Sequence, residues 1–168
     1  IQHQLSQVKA QLEKVSKWVE ANKYLSETDK QTFRDTLSAL NKGVAKAEGM
    51  MKENISLAKD MTQVLKRAAN ELVKITERMD KIQTMEGLST PEKNMLMKTM
   101  MEQVKLIGDV GNLIAQGTVE SVKRASVLMT VIESIGKAVD TFIAVVESQL
   151  SAENKATAKQ VLTNKMAD

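Results

Sequence analysis

The sequence has few of the residues that build β proteins, disulfide-bonded domains or common catalytic sites. Its 168 residues include no cysteine, one histidine, one proline, seven glycines and four aromatic residues, Trp18, Tyr24, Phe33 and Phe142. A β-sandwich or β-barrel needs turn residues about every 8–12 positions and many aromatic or β-branched residues in its strands. Without cysteine there are no disulfides from which to infer a redox compartment. The composition therefore argues against an all-β fold.

The charged residues are nearly balanced and are spread along the chain. Lysine and arginine number 24 against 21 aspartates and glutamates, which gives a net charge of +3. A nucleic-acid-binding surface needs a basic stripe or cluster, often with aromatic residues between the basic ones. The longest uncharged run, Val110–Val119, is much shorter than the roughly 20 residues that span a bilayer. We expect neither a nucleic-acid partner nor a transmembrane helix.

What the sequence does contain is a persistent helical repeat. Apolar residues recur with alternating spacings of four and three, which is the pattern of a helix with one buried stripe. The repeat predicts one all-α domain over residues 1–168. In the first segment, which we expect to be a helix over 2–24, the repeat consists of Ile1, Leu5, Val8, Leu12, Val15 and Val19.

Three Leu-Ser-x-x-x-Lys segments, beginning at Leu25, Leu88 and Leu150, have the form of helix starts. A serine at the N-cap can accept a hydrogen bond from a free backbone N–H. Ser89 and Glu92 have the spacing of a capping box, and Pro91 suits a first helical turn. The segments lie 63 and 62 residues apart. This spacing indicates either an internal duplication or the general resemblance among serine-capped amphipathic helices.

Between these starts the four-three repeat is never interrupted. It predicts two long helices over 27–86 and 90–149, followed by a short helix over 152–166. Helices joined by short turns lie antiparallel, so we expect an elongated antiparallel helical bundle or coiled coil. Each long helix would measure about 90 Å. The N- and C-terminal helices would pack beside them at one end and form a four-helix section there.

A second architecture is compatible with the same repeat. Asn54 and Gly117 suit the left-handed conformation that ends many helices. Breaks near these two residues would divide the long helices and give a compact six-helix bundle. We favour continuous helices, because a loop has no need to preserve the heptad phase.

The usual carriers of catalysis are scarce. His3 is the only histidine and lies in the first turn of the chain, and no Glu-x-x-His pair of the kind found in di-metal bundles is present. Several acidic residues have lysine four positions later, which is the spacing of surface ion pairs. We expect the protein not to be an enzyme and to need no cofactor, metal or small-molecule substrate.

Methionine is the one residue type that clusters. Six of the 11 methionines lie between positions 79 and 101, on both sides of the turn at Gly87–Pro91. Flexible methionine side chains suit surfaces that bind varied apolar partners, although the same residues could fill an irregular core. The predicted partner-binding residues, which we call the methionine-rich end, are Met79, Met85, Leu88, Met95, Leu96, Met97, Met100 and Met101.

The glutamine-rich first helix, the long antiparallel helices and the lack of catalytic residues resemble helical secretion-associated proteins, among them type IV secretion minor pilins and type III translocator coiled coils. No motif specific to either family is present, so the resemblance implies no residue roles. With Ile1 in place of a starting methionine, it favours a secreted or periplasmic location over a cytoplasmic one.

We therefore expect a non-enzymatic scaffold or interaction module that binds another protein or a second copy, through the methionine-rich end or an exposed heptad seam. The alternative is a membrane-active helical protein whose broad apolar face over 125–150 leaves the bundle and inserts. Glu133, Lys137, Asp140 and Glu147 interrupt that face and argue against insertion.

Overall fold

The computed structural model describes the backbone of residues 1–167, in which five helices are joined by short turns. Side chains are described for residues 1–149 and for 153, 160, 163 and 164. The prediction of an all-α fold is confirmed. The helices are α1 (Gln2–Ala21), α2 (Glu27–Lys52), α3 (Leu57–Thr84), α4 (Thr90–Gln116) and α5 (Val119–Ala167).

The predicted single helix over 27–86 is wrong, because the chain turns between α2 and α3. Asn54 has a positive φ of 58°, and the Ile55 N–H donates to the Met50 carbonyl at 2.9 Å. Two consecutive helices that face one core need the same apolar repeat, so the register survives the turn. A preserved register therefore does not indicate a continuous helix.

The predicted helix over 90–149 is also divided, and the predicted separate helix over 152–166 is wrong. Gly117, with φ 68°, caps the C-terminus of α4. Thr118 and Ser121 then exchange backbone-to-hydroxyl hydrogen bonds of 3.0 and 3.1 Å at the start of α5. From there α5 continues through position 150 to Ala167, since the residues just before Ser151 include no glycine or asparagine that favours a helix end. The alternative six-helix architecture predicted both breaks correctly, but residues 1–167 form five helices rather than six.

The remaining helix ends follow capping chemistry. The predicted first helix, 2–24, is slightly too long, because the Asn22 carboxamide oxygen accepts from the Tyr24 and Leu25 N–H groups at 2.9 Å and closes a turn. Ser26 accepts from the Asp29 N–H at 3.1 Å and starts α2. At the start of α4, Ser89 and Glu92 form the reciprocal capping box that the sequence indicates.

Helix α3 lies at the centre of the bundle and packs against each of the other four helices. The outer helices follow one another around it, because α1 contacts α2, α2 contacts α4, and α4 contacts α5. Within the described residues α1 and α5 do not pack against each other, so the predicted pairing of the two terminal helices at one end is not observed. The folded-back α3 occupies the position between them.

The closest helix packing is between α2 and α4, where glycine replaces larger side chains. A Cβ added at Gly111 would lie only 2.6 Å from the carbonyl carbon of Ala39. Beside Gly108, the Thr36 hydroxyl donates to the Val104 carbonyl at 2.8 Å. Because these contacts involve backbone atoms, α4 holds a fixed position against α2 and presents its other side to α5.

Candidate interaction surfaces

The methionine-rich end is mostly core. Four of its eight residues are buried in the main hydrophobic cluster, and three more are half-buried against that cluster. Only one is well exposed, with 51% of its surface accessible. In order, the buried residues are Met79, Leu96, Met100 and Met101, the half-buried ones are Met85, Leu88 and Met97, and the exposed one is Met95.

Helix α5 exposes far more apolar surface than this end. Its inner row, from Val122 to Val146, repeats the four-three spacing and is buried against α3 and α4. On the opposite side, Val127 is 67% exposed, and Val131 and Val145 are each 49% exposed. We call this side the outer α5 face and define it by Val127, Val131, Ser134, Ala138, Thr141, Val145 and Ser148, all of which are exposed.

The outer α5 face carries no charged residue. From Val127 to Ser148 it runs along about 33 Å of helix, and its polar members are only serine and threonine. The exposed stripe of α4 differs, because it places Lys98, Glu102 and Lys105 toward solvent on successive turns. In a chain that is 27% charged, an uncharged outer face of this length is a distinctive surface.

Three acidic residues of α5 lie on its side toward α3, whereas Glu120 and Arg124 pair with each other near the start of the helix. Glu133 pairs with Arg67, and the Arg67 guanidinium also donates to the Ser126 hydroxyl at 3.0 Å. Farther along, Lys81 pairs with Glu147 at 2.8 Å. Glu133 and Glu147 are among the residues that interrupt the apolar pattern in the sequence. Their ion pairs with α3 hold α5 with its uncharged face outward.

The deepest of these ion pairs is built around Arg78. Its guanidinium donates to Glu71 at 2.9 Å and to both carboxylate oxygens of Asp140 at 2.7 and 3.0 Å. The side chains of Arg78 and Glu71 are only 8% and 5% exposed. A Cβ added at Gly136 would lie 2.7 Å from the Glu71 carboxylate. The absence of a side chain at Gly136 therefore leaves room for the Arg78–Glu71 pair beneath α5.

The protonation of the Arg78 group follows from these contacts. Burial opposes the positive charge of Arg78, but its hydrogen bonds with Asp140 and Glu71 outweigh that cost and raise its pKa. The Arg78 guanidinium in turn lowers the pKa of Asp140 below the ordinary aspartate value. Arg78 and Asp140 are therefore charged at neutral pH and hold α3 and α5 together.

A second polar cluster joins the α1–α2 turn to the end of α3. The Trp18 indole N–H donates to Asp80 at 3.0 Å, and the Tyr24 hydroxyl donates to the same carboxylate. Burial, together with the bond to Asp80, raises the pKa of Tyr24 to about 12. The Phe33 ring packs beside Trp18 with 5.6 Å between ring centroids. This cluster fastens the turn to α3.

Neither polar cluster forms a metal centre. Among the residues that the structure describes, no three His, Asp or Glu side chains are grouped so that they could hold a metal ion. The described helices include none with the length and apolar character needed to cross a membrane. Comparisons with protein-family models, curated proteins and solved structures gave no match to this chain.

The sequence indicates the outer α5 face only in part. The apolar row of Leu128, Ile135 and Phe142 is visible as a second stripe, and these side chains are half-buried. Val127, Val131 and Val145 lie outside that row, so the row does not identify them. The sequence does contain a usable signal. A second four-three repeat without any charged residue runs through positions 127, 131, 134, 138, 141, 145 and 148.

Proposed function

We propose that the protein is a non-enzymatic helical interaction module that docks a helix of a partner protein along the outer α5 face. The observation that carries the proposal is the exposure of Val127, Val131 and Val145 on a face about 33 Å long without a charge. Exposed apolar side chains grouped on one face are typical of interaction sites. The spacing of the face along one helix suits a second helix laid beside it.

The composition of the face favours a protein partner over a lipid surface. Helices that lie on membranes have bulky Trp, Phe or Leu side chains on the apolar face and lysine or arginine on the polar one. The outer α5 face has valine, alanine, serine and threonine instead. Small and β-branched side chains allow two helix backbones to approach closely, which supports helix docking.

Site-specific photocrosslinking in cells that express the protein tests the proposal. A benzophenone amino acid is placed at Val131, at Met95 in the methionine-rich end, or at Glu102 on the charged stripe of α4 as the control. We expect the Val131 position to give an adduct whose partner peptide, identified by mass spectrometry, comes from a helix. We also expect Val127→Glu to abolish that adduct.

Other results would overturn the proposal in different ways. Adducts at Val131 no stronger than those at Glu102 would remove the outer α5 face from consideration. Adducts from Met95 alone would move the binding surface to the methionine-rich end. Efficient dye release from phosphatidylglycerol-containing vesicles at low protein concentration, lost in Val127→Glu, would show a membrane-active protein instead.

A further inference from the structure

We infer that the helix docked on the outer α5 face is the same face of a second copy, in an antiparallel arrangement with two-fold symmetry. This inference rests on the proposed function and specifies its partner. In an isologous contact the same patch is used on both subunits, so the patch must complement itself.

From Val127 to Val145 the outer face carries similar residues at equal distances on the two sides of Gly136, and beyond this span Ser148 is matched by Arg124. At equal distances from that level lie Val127 and Val145 at the two ends, and Ser134 and Ala138 at the centre. Between them, Val131 is matched by Thr141, another β-branched residue. In an antiparallel pair, Val127 of one copy would therefore lie beside Val145 of the other. Ser134 and Ala138 would meet where the two helices cross.

Gly136 fixes which side of α5 is turned outward at this centre. It is buried, and a Cβ there would meet Glu71 and the Arg78 guanidinium, so the helix surface at this level lies directly against α3. The side of α5 opposite Gly136 is then the point farthest from the bundle. A second copy can approach this point without displacing any described helix.

Charge also selects a second copy. An uncharged surface is matched best by another uncharged surface, because charged groups lose solvation when they are covered without partners. The exposed stripe of α4 is charged on successive turns, and α1 exposes Lys9, Glu13 and Lys17. Of these three stripes, the outer α5 face is the uncharged one.

The dimensions of the face predict a reversible dimer. A strip of about 33 Å by about 10 Å covers about 330 Å² on each copy. Stable interfaces bury about 800 Å² from each partner, and contacts well below this size are at most weak and transient. We therefore expect dimers whose fraction increases with protein concentration.

Cysteine crosslinking tests both the partner and its direction, and the cysteine-free chain gives no background. Val127→Cys and Val145→Cys are purified separately and oxidised alone or as an equal mixture, with Glu102→Cys on α4 measuring random collisions. Circular dichroism checks that each variant is folded. We expect the mixture to give several-fold more disulfide-linked dimer than either variant alone, because identical positions lie about 27 Å apart in the antiparallel pair.

Two results would overturn the inference. Dimer from Val127→Cys alone at the level of the mixture would show a parallel arrangement, and dimer no greater than that of Glu102→Cys would show that copies do not pair on this face. In the latter case, photocrosslinks from Val131 to helices of other proteins would leave the proposed function intact and reject only the second copy as partner.

Discussion

At the scale of single residues, a few polar side chains decide where helices meet. Asp80 ties Trp18 and Tyr24 to α3, and Arg78 ties Glu71 to Asp140 across the α3–α5 contact. Breaking a buried ion pair by removing one partner is costly, since the other charge is left without compensation. These residues explain why α1 and α5 take defined positions on α3.

Tyr24 gives a direct measurement of one of these contacts. It is the only tyrosine, and in the folded protein its pKa is raised to about 12 by burial and by the bond to Asp80. Its neutral form therefore stabilises the fold fully below pH about 10, the unfolded pKa, and this contribution is lost as the pH rises through about 12. We expect ultraviolet absorbance titration of the folded protein to give a midpoint near 12.

Two comparisons make the titration specific. Asp80→Asn removes the carboxylate charge, so the titration midpoint of Tyr24 should be lower than in the unchanged protein. Because Tyr24 remains partly buried, the midpoint should still be higher than in the protein unfolded in guanidinium. A folded-state midpoint equal to that of the unfolded chain would contradict the contact between Tyr24 and Asp80.

At the scale of helices, composition and repeat predicted the fold class and most helix starts, but not the helix breaks. Ser26 and the Ser89–Glu92 box could be read directly because capping is a local hydrogen-bonding effect. The turns at Asn54 and Gly117 could not be decided, because the heptad phase is the same for a continuous helix and for a helical hairpin. The decision comes from tertiary packing, which places α3 among all its neighbours.

The predicted binding residues show the same limit. Methionine clustering is visible in the sequence, but whether Met100 faces a partner or the core depends on which helix covers it. In the structure Met100 is fully buried, while Met95 remains exposed. Recognising the outer α5 face depends on the tertiary arrangement in the same way, because it requires knowing that no described helix covers Val127 or Val131.

The α2–α4 contact makes a quantitative prediction at this scale. Gly111→Ala forces a Cβ against the backbone of Ala39 and Leu40, at distances of 2.6 and 2.7 Å. Overpacking of this kind costs about 1–3 kcal/mol, so we expect a lower midpoint in urea unfolding. The matched control is Gly49→Ala, a helical glycine in α2, where an added Cβ meets nothing within 4 Å.

The control should move in the opposite direction. Alanine is favoured over glycine inside a helix by up to about 1 kcal/mol, so Gly49→Ala should raise the urea midpoint or leave it unchanged. Equal effects of the two substitutions would mean that α4 does not pack against α2 as closely as the structure has it.

At the scale of the whole molecule, the outer α5 face is a side of the bundle that no described helix covers. Ion pairs with α3 hold Glu133, Asp140 and Glu147 on the inner side of α5, and the outer α5 face is uncharged. This arrangement is the basis of the proposed interaction module and of its pairing with a second copy. The surface is distinct from the methionine-rich end, whose side chains mainly stabilise the fold.

The molar mass in solution tests this account most directly. Sedimentation equilibrium over a range of protein concentrations should show the mass rising from that of one chain, 18.6 kDa, toward twice that value. Val131→Glu should remain at the mass of one chain, while Glu102→Gln on α4 should behave like the unchanged protein. A mass of one chain at every concentration, or a dimer that survives Val131→Glu, would contradict pairing through the outer α5 face.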